Sequence, residues 1–107
     1  ARFKRAMKSA TEIFGNDAFR KRYVPNDRRK PINKALFEVW SVLLSKLDER
    51  ECASLISQKE QVILAFIDLN NQDDFYYAIT SGTGEKSKVI RRFTDVKSLI
   101  STILESS

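Results

Sequence analysis

The sequence predicts an all-α fold: a compact bundle of about five to six helices with a long C-terminal helix. Apolar residues recur at three- and four-residue steps in the first and last segments. The chain holds only three Gly and two Pro. Good capping residues stand ahead of several apolar runs. The 107 residues fit a single helical domain spanning 1–107, and a domain of that size buries about 65% of the surface its unfolded chain exposes.

Taken in order, Phe3, Ala6, Met7, Ala10, Ile13 and Phe14 fall on one face of a first helix over residues 2–14, with Arg2, Lys4, Arg5 and Lys8 mostly outside. Gly15 is placed to end it as a C′ residue, and Phe19 to anchor the following turn in the core. A basic amphipathic helix also suits a membrane surface, but any core-facing helix shows the same stripe. The helix begins abruptly, with no capping residue ahead of Arg2, which predicts an excised C-terminal fragment of a longer protein.

The stretch PINKALFEVWSVLLSKL at residues 31–47 is the expected centre. Ala35, Leu36, Phe37, Val39, Trp40, Val42, Leu43, Leu44 and Leu47 cover more of a helical wheel than one face of about 100°, so this helix is expected to be surrounded. Pro31 restricts the residue before it, and Asn33 is a good N-cap. Asp48, with Glu51 three residues on, predicts a capping box for a short helix carrying Cys52 and Ile56, and Ser57 with Glu60 repeats the device.

The run VILAFI at residues 62–67 suits a buried strand or a helix, and the cap ahead of it and the lack of a second strand-like segment favour helix. Asn71 and Asp74 are expected to start a further helix with Phe75, Ala78 and Ile79 inward. Tyr76 and Tyr77 beside them read either as stacking platforms for bases or as tyrosines at the edge of a core. After a break at Ser81, Gly82, Thr83 and Gly84, the residues Val89, Ile90, Phe93, Val96, Leu99, Ile100, Ile103 and Leu104 form the cleanest helical stripe.

Composition excludes several chemistries. There is no His, which removes Ser-His-Asp, Cys-His and HNH-type sites together with the commonest metal ligand. A metal site would need oxygen ligands alone, and no EF-hand spacing is present, so neither metal nor cofactor is expected. Cys52 stands alone, so no internal disulfide forms, and beside Ala53, Leu55 and Ile56 it reads as buried and inert. The carboxylate pairs Glu49 with Glu51 and Asp73 with Asp74 sit at expected helix N-termini, where negative charge is ordinary capping chemistry. No catalytic residue is expected. With no signal-peptide pattern and no apolar run near 20 residues, the chain is expected to be soluble and cytoplasmic, with no membrane partner.

The compositional outlier is RKRYVPNDRRK at residues 20–30. Arg20, Lys21, Arg22, Arg28, Arg29 and Lys30 stand against Asp27 alone, a net +5 that equals the formal charge of the whole chain. Everything outside the stretch balances, 13 positive against 13 negative. Such a concentration is what non-specific binding to a phosphate backbone needs. A solvated loop paired with acidic groups elsewhere is the competing reading. A second candidate is an anion site at Ser81, Gly82, Thr83 and Gly84, followed by Lys86, Lys88, Arg91 and Arg92, since glycines and a helix N-terminus favour an anion. It is not a Walker A motif, and an interhelical turn with Arg91 and Arg92 paired to Asp95 explains the same residues.

Three stretches together, FKRAMKSATEIFGNDAFRK at 3–21, PINKALFE at 31–38 and FYYAITSGTGEKSKVIRRFTDV at 75–96, resemble the C-terminal helical part of a large prokaryotic family of unassigned function. The N-terminal module of that family is ParB/sulfiredoxin-like and carries a DGQQR motif, and the family includes the GmrSD-type modification-dependent restriction enzymes and related phage-defence proteins. The resemblance implies that nucleotide hydrolysis belongs to the DGQQR module and nuclease activity to an HNH-like domain, neither of which is present here. This chain would then be a non-catalytic bacterial module attached to such an engine. The family's Thr-Ser, Lys and Arg positions fall here on Thr80, Ser81, Lys86 or Lys88, and Arg91 or Arg92, and the resemblance assigns them no role. The expected partners are the N-terminal module of the parent chain and, through the basic loop, nucleic acid. The alternative is a protein–protein or interdomain interaction module with no nucleic-acid contact.

Overall fold

A computed structural model describes residues 2–106. Among them the chain forms six α-helices: α1 (Arg2–Phe14), α2 (Lys34–Ser45), α3 (Glu49–Ser57), α4 (Lys59–Asn70), α5 (Asp73–Thr80) and the 20-residue α6 (Lys86–Glu105). The run VILAFI is helical within α4. None of the described helices is long and apolar enough to cross a membrane.

Local chemistry sets several of the ends. Gly15 adopts φ +62°, the left-handed conformation that stops α1 and leads into a 3-10 turn at Gly15–Asp17. Asn33 caps α2, its Oδ1 accepting from the Leu36 N–H at 2.9 Å, a contact worth about 1 kcal/mol. Asp48 and Glu51 close a reciprocal capping box at 2.8 and 3.0 Å.

The second capping box does not form. Ser57 is still helical and its hydroxyl donates to the Ser54 carbonyl, because α3 and α4 are joined through Gln58 alone and no extended residue separates them. Gln58 takes over the junction, donating to the Ser54 carbonyl and across to the Ile103 carbonyl of α6. Likewise Gln72, not Asn71, precedes α5. Asn71 closes α4 instead, and Asp74 lies inside the first turn of α5 beside Asp73.

Trp40, 1% exposed, stands at the middle of the core. Phe14 of α1 and Phe66 of α4 meet it edge to face at 5.1 and 5.8 Å, and meet each other at 5.5 Å. Three rings from three helices thereby fix the mutual placement of α1, α2 and α4, each pair adding about 0.5–1.5 kcal/mol beyond its area. Leu36, Leu44, Leu55, Val62, Phe75, Ile79 and Val96 complete the surrounding layer.

The central helix is not surrounded on every side. Phe37 and Val42 are 38% and 36% exposed, and Phe3 of α1, expected inward, is 58% exposed. Together with Arg2, Lys34, Glu38, Ser41 and Ser45 they line an open apolar groove of about 620 Å³. Ile90 of α6 also turns outward, while Phe93 packs against the core.

Arg92 was expected to pair on the surface with Asp95, and only Arg91 does so, at 3.6 Å. Arg92 is 4% exposed. Its NH1 donates to the carbonyls of Ala78 (3.1 Å) and Thr83 (2.7 Å), and its NH2 to Glu38 Oε1 at 3.1 Å. One guanidinium therefore ties α6 to the C-terminal end of α5, to the loop after it, and to α2. Cations are favoured at helix C-terminal carbonyls, which are otherwise left without partners.

Replacing Arg92 by Ala should cost about 2–4 kcal/mol, since buried carbonyls lose a charged donor. Glu38→Gln keeps an acceptor on a half-exposed side chain and should cost about 1 kcal/mol or less. Urea unfolding of both variants, followed by circular dichroism, measures the difference.

Candidate nucleic-acid interface

The basic stretch folds into an ordered loop between α1 and α2. Its base is closed by a single antiparallel bridge between Arg20 and Ile32, with the Asn33 N–H donating to the Phe19 carbonyl at 2.8 Å. Phe19 makes this closure possible by adopting φ +65°, a conformation unusual for a side chain of its size. Its ring packs edge to face on Phe37 at 5.0 Å, which offsets the strain.

Inside the loop, Asp27 organises the turn. Its Oδ2 accepts from the Tyr23 N–H at 2.7 Å, its own N–H donates to the Val24 carbonyl at 3.2 Å, and its Oδ1 pairs with Lys30 Nζ at 2.8 Å. The Lys30 ammonium and the Tyr23 amide hold the Asp27 carboxyl below its ordinary range. Burial, followed by the charges on Tyr76 and Asp27, pushes the Tyr23 hydroxyl above its ordinary value of 10.0, so this ring is neutral at physiological pH.

The six cations divide by what they touch. Arg20 donates to the carbonyls of Asn16 (2.9 Å) and Lys30 (2.5 Å), and Arg22 to that of Pro25 (2.6 Å). Bonds to carbonyls position a cation without neutralising it. Arg22 also lies 3.9 Å from Asp17, Lys30 sits 5.1 Å from the Tyr23 ring centre, and Lys21 sits 5.9 Å from that of Tyr76. Arg28 and Arg29 are exposed at the outer part of the loop.

Helix α5 receives the loop. Asn71, just before it, donates to the Tyr23 carbonyl at 2.9 Å, and Asn33, just after the loop, donates to the Ile79 carbonyl at 2.8 Å. Tyr76 lies 6.4 Å from Tyr23 and 5.5 Å from Tyr77 by ring centres. The result is a basic loop lying beside a row of three tyrosines. Asn71, expected to start a helix, instead ends α4 and tethers the loop. The tether's only sequence signal is an Asn where one helix ends and another begins.

The second candidate loop is shaped by cations pointing into it. Gly82 adopts φ +56°, and a Cβ there would lie 2.7 Å from Glu85 Oε1. The Ser81 carbonyl accepts from Lys88 Nζ, and the Thr83 carbonyl from Arg92. Lys88 and Arg92 thus satisfy the loop's own carbonyls, while Gly84, Lys86 and Arg91 are exposed. Cys52 is buried, its Sγ 4.0 Å from the Leu44 carbonyl oxygen. Among the described residues no group of three or more His, Cys, Asp or Glu lies placed to hold a metal ion.

No family model, curated protein or solved structure matches this chain.

Because the Asp27 carboxyl is depressed on folding, its contribution to loop order is full above its unfolded value and is lost as pH falls through the folded one. The protection of the Tyr23 amide against hydrogen exchange, followed by NMR relative to an unstructured amide at the same pH, should fall as Asp27 is protonated below the ordinary carboxylate range, while the amides of α2 and α4 stay protected. In Asp27→Asn the Lys30 ion pair is gone, and the same acid transition should disappear.

Proposed function

We propose that this domain is a non-catalytic helical module of a DNA-targeting restriction or phage-defence protein. In this reading it supports a separate catalytic module and contacts nucleic-acid phosphates through the loop at residues 20–30. The defence context rests on the resemblance of residues 3–21, 31–38 and 75–96 to the DGQQR-motif family. The observation that carries the nucleic-acid contact is the whole net charge of the chain gathered in one ordered, outward loop with Arg28 and Arg29 exposed. Prepositioned cations bind a polyanion by releasing its counterions, with little loop ordering left to complete on binding.

A second reading is an interaction module without nucleic-acid contact. The exposed strip of Phe3, Phe37 and Val42 favours it, because clustered apolar side chains on a surface mark contact with another protein surface. Its occupant in this reading is the N-terminal module of the parent chain. The Phe37→Asp, Val42→Asp double variant should then weaken association of the two separately expressed parts in calorimetry and leave oligonucleotide titrations unchanged.

Fluorescence anisotropy with labelled oligonucleotides tests the first reading. Affinity should fall steeply between 50 and about 200 mM salt. Reversing Arg28 and Arg29 to Glu should weaken binding at low salt at least tenfold, about equally for all sequences, and flatten the salt slope by about two. Binding that ignores salt, or none at low salt, rejects it.

A further inference from the structure

We infer that the surface formed by the basic loop and the tyrosines of α5 takes single-stranded nucleic acid, with unpaired bases stacked on Tyr76 and Tyr77 and phosphates held by the loop cations. This rests on the phosphate-binding reading of the loop and goes beyond it by naming the strand state of the ligand.

The core does not need these two rings. Phe75, Ala78 and Ile79 of the same helix are 0–1% exposed and fill its inward face, whereas Tyr76 and Tyr77 are 37% and 56% exposed. Tyr76 packs against Tyr23 and Tyr77, at 6.4 and 5.5 Å, in a row running from the loop onto α5.

Cations accompany the rings. Lys21 lies 5.9 Å from the centre of Tyr76 and Lys30 5.1 Å from that of Tyr23. Positive charge interleaved with aromatic rings is the arrangement that binds single strands, because every base has a π-face and every nucleotide a phosphate, and Tyr77, 56% exposed, is the ring most available to a base. A duplex hides its base faces in the stack and presents phosphates and groove edges. It gains from the cations and nothing from the tyrosines.

The position of the rings is built in. Asn71 ties the Tyr23 carbonyl to the helical scaffold at 2.9 Å, and Asp27 of the same loop holds the Tyr23 amide at 2.7 Å. Asp73 and Asp74 occupy the first turn of α5. They lie one turn before Tyr76 and Tyr77 on the same helix, so the positive charge that holds phosphates comes from the loop and not from α5.

The test is anisotropy titration of the whole domain with a labelled 20-nucleotide single strand and the matching 20-base-pair duplex at equal salt. The native domain should bind the single strand at least tenfold more tightly. Tyr77→Ala, at an exposed site, and the Tyr76→Ala, Tyr77→Ala double variant should each weaken single-strand binding, by about 5-fold to 100-fold, and leave duplex binding and the salt slope unchanged. Tyr77→Trp should restore or improve it. Circular dichroism confirms that each variant is folded. Equal affinity for the two strand states overturns the inference, as does equal loss for both in the tyrosine variants. Polyglutamate competing as well as the single strand also overturns it, since charge alone would then suffice. Weak binding to every polyanion with no salt dependence instead rejects the underlying phosphate-binding reading.

Discussion

The arrangement of this domain depends on one buried cation. Arg92 stands on α6, but its partners are the end of α5, the loop that follows, and Glu38 on α2. Helix α5 is only eight residues long, too short to persist without support. Phe75, Ala78 and Ile79 dock its apolar face, Arg92 donates to its Ala78 carbonyl, and Asn33 donates to its Ile79 carbonyl. Everything attached to α5 inherits that anchorage, including the two asparagine tethers and the tyrosines. The candidate interface is therefore as rigid as the contact between α5 and α6.

A second constraint is the excess of apolar residues on α2. The ring cluster of Phe14, Trp40 and Phe66 uses one side of that helix, and Leu36 and Leu44 extend the same layer. Six helices of these lengths do not wrap the remaining flank, so Phe37 and Val42 stay partly in water with Phe3 beside them. Phe37 still serves the loop, since it is the surface on which Phe19 rests. The same helix thus supports the basic loop and borders the apolar groove.

The loop itself shows how positive charge is concentrated without collapse. Like charges at this density repel, and the backbone carbonyls of Asn16, Pro25 and Lys30 take up the guanidinium donors of Arg20 and Arg22. Asp27 neutralises one charge and supplies the turn. The remaining surplus faces outward, where it raises the local concentration of any polyanion.

Much of the fold was legible along the chain. The residues that cap α2 and α3 and the glycine that ends α1 are decided by neighbours within about four positions, and the long last helix by its apolar stripe; residues 62–67 are helical without the cap expected ahead of them. Such short-range terms act the same way wherever the segment lies. The Ser57 cap failed because the length of the junction, and not the cap's own preference, settled how α3 meets α4. The chemistry of the loop was likewise legible as composition, a net +5 within eleven residues. What only the tertiary structure decided was which side chains meet. Arg92 reaches Glu38 across 54 positions and Asn71 reaches Tyr23 across 48. Periodicity marks the faces of a helix but not the neighbour that covers each face, and that choice is made by packing across space. For that reason Phe3, Phe37 and Ile90 looked buried along the chain and are not, and Arg92 looked exposed and is the most enclosed charge among the described residues.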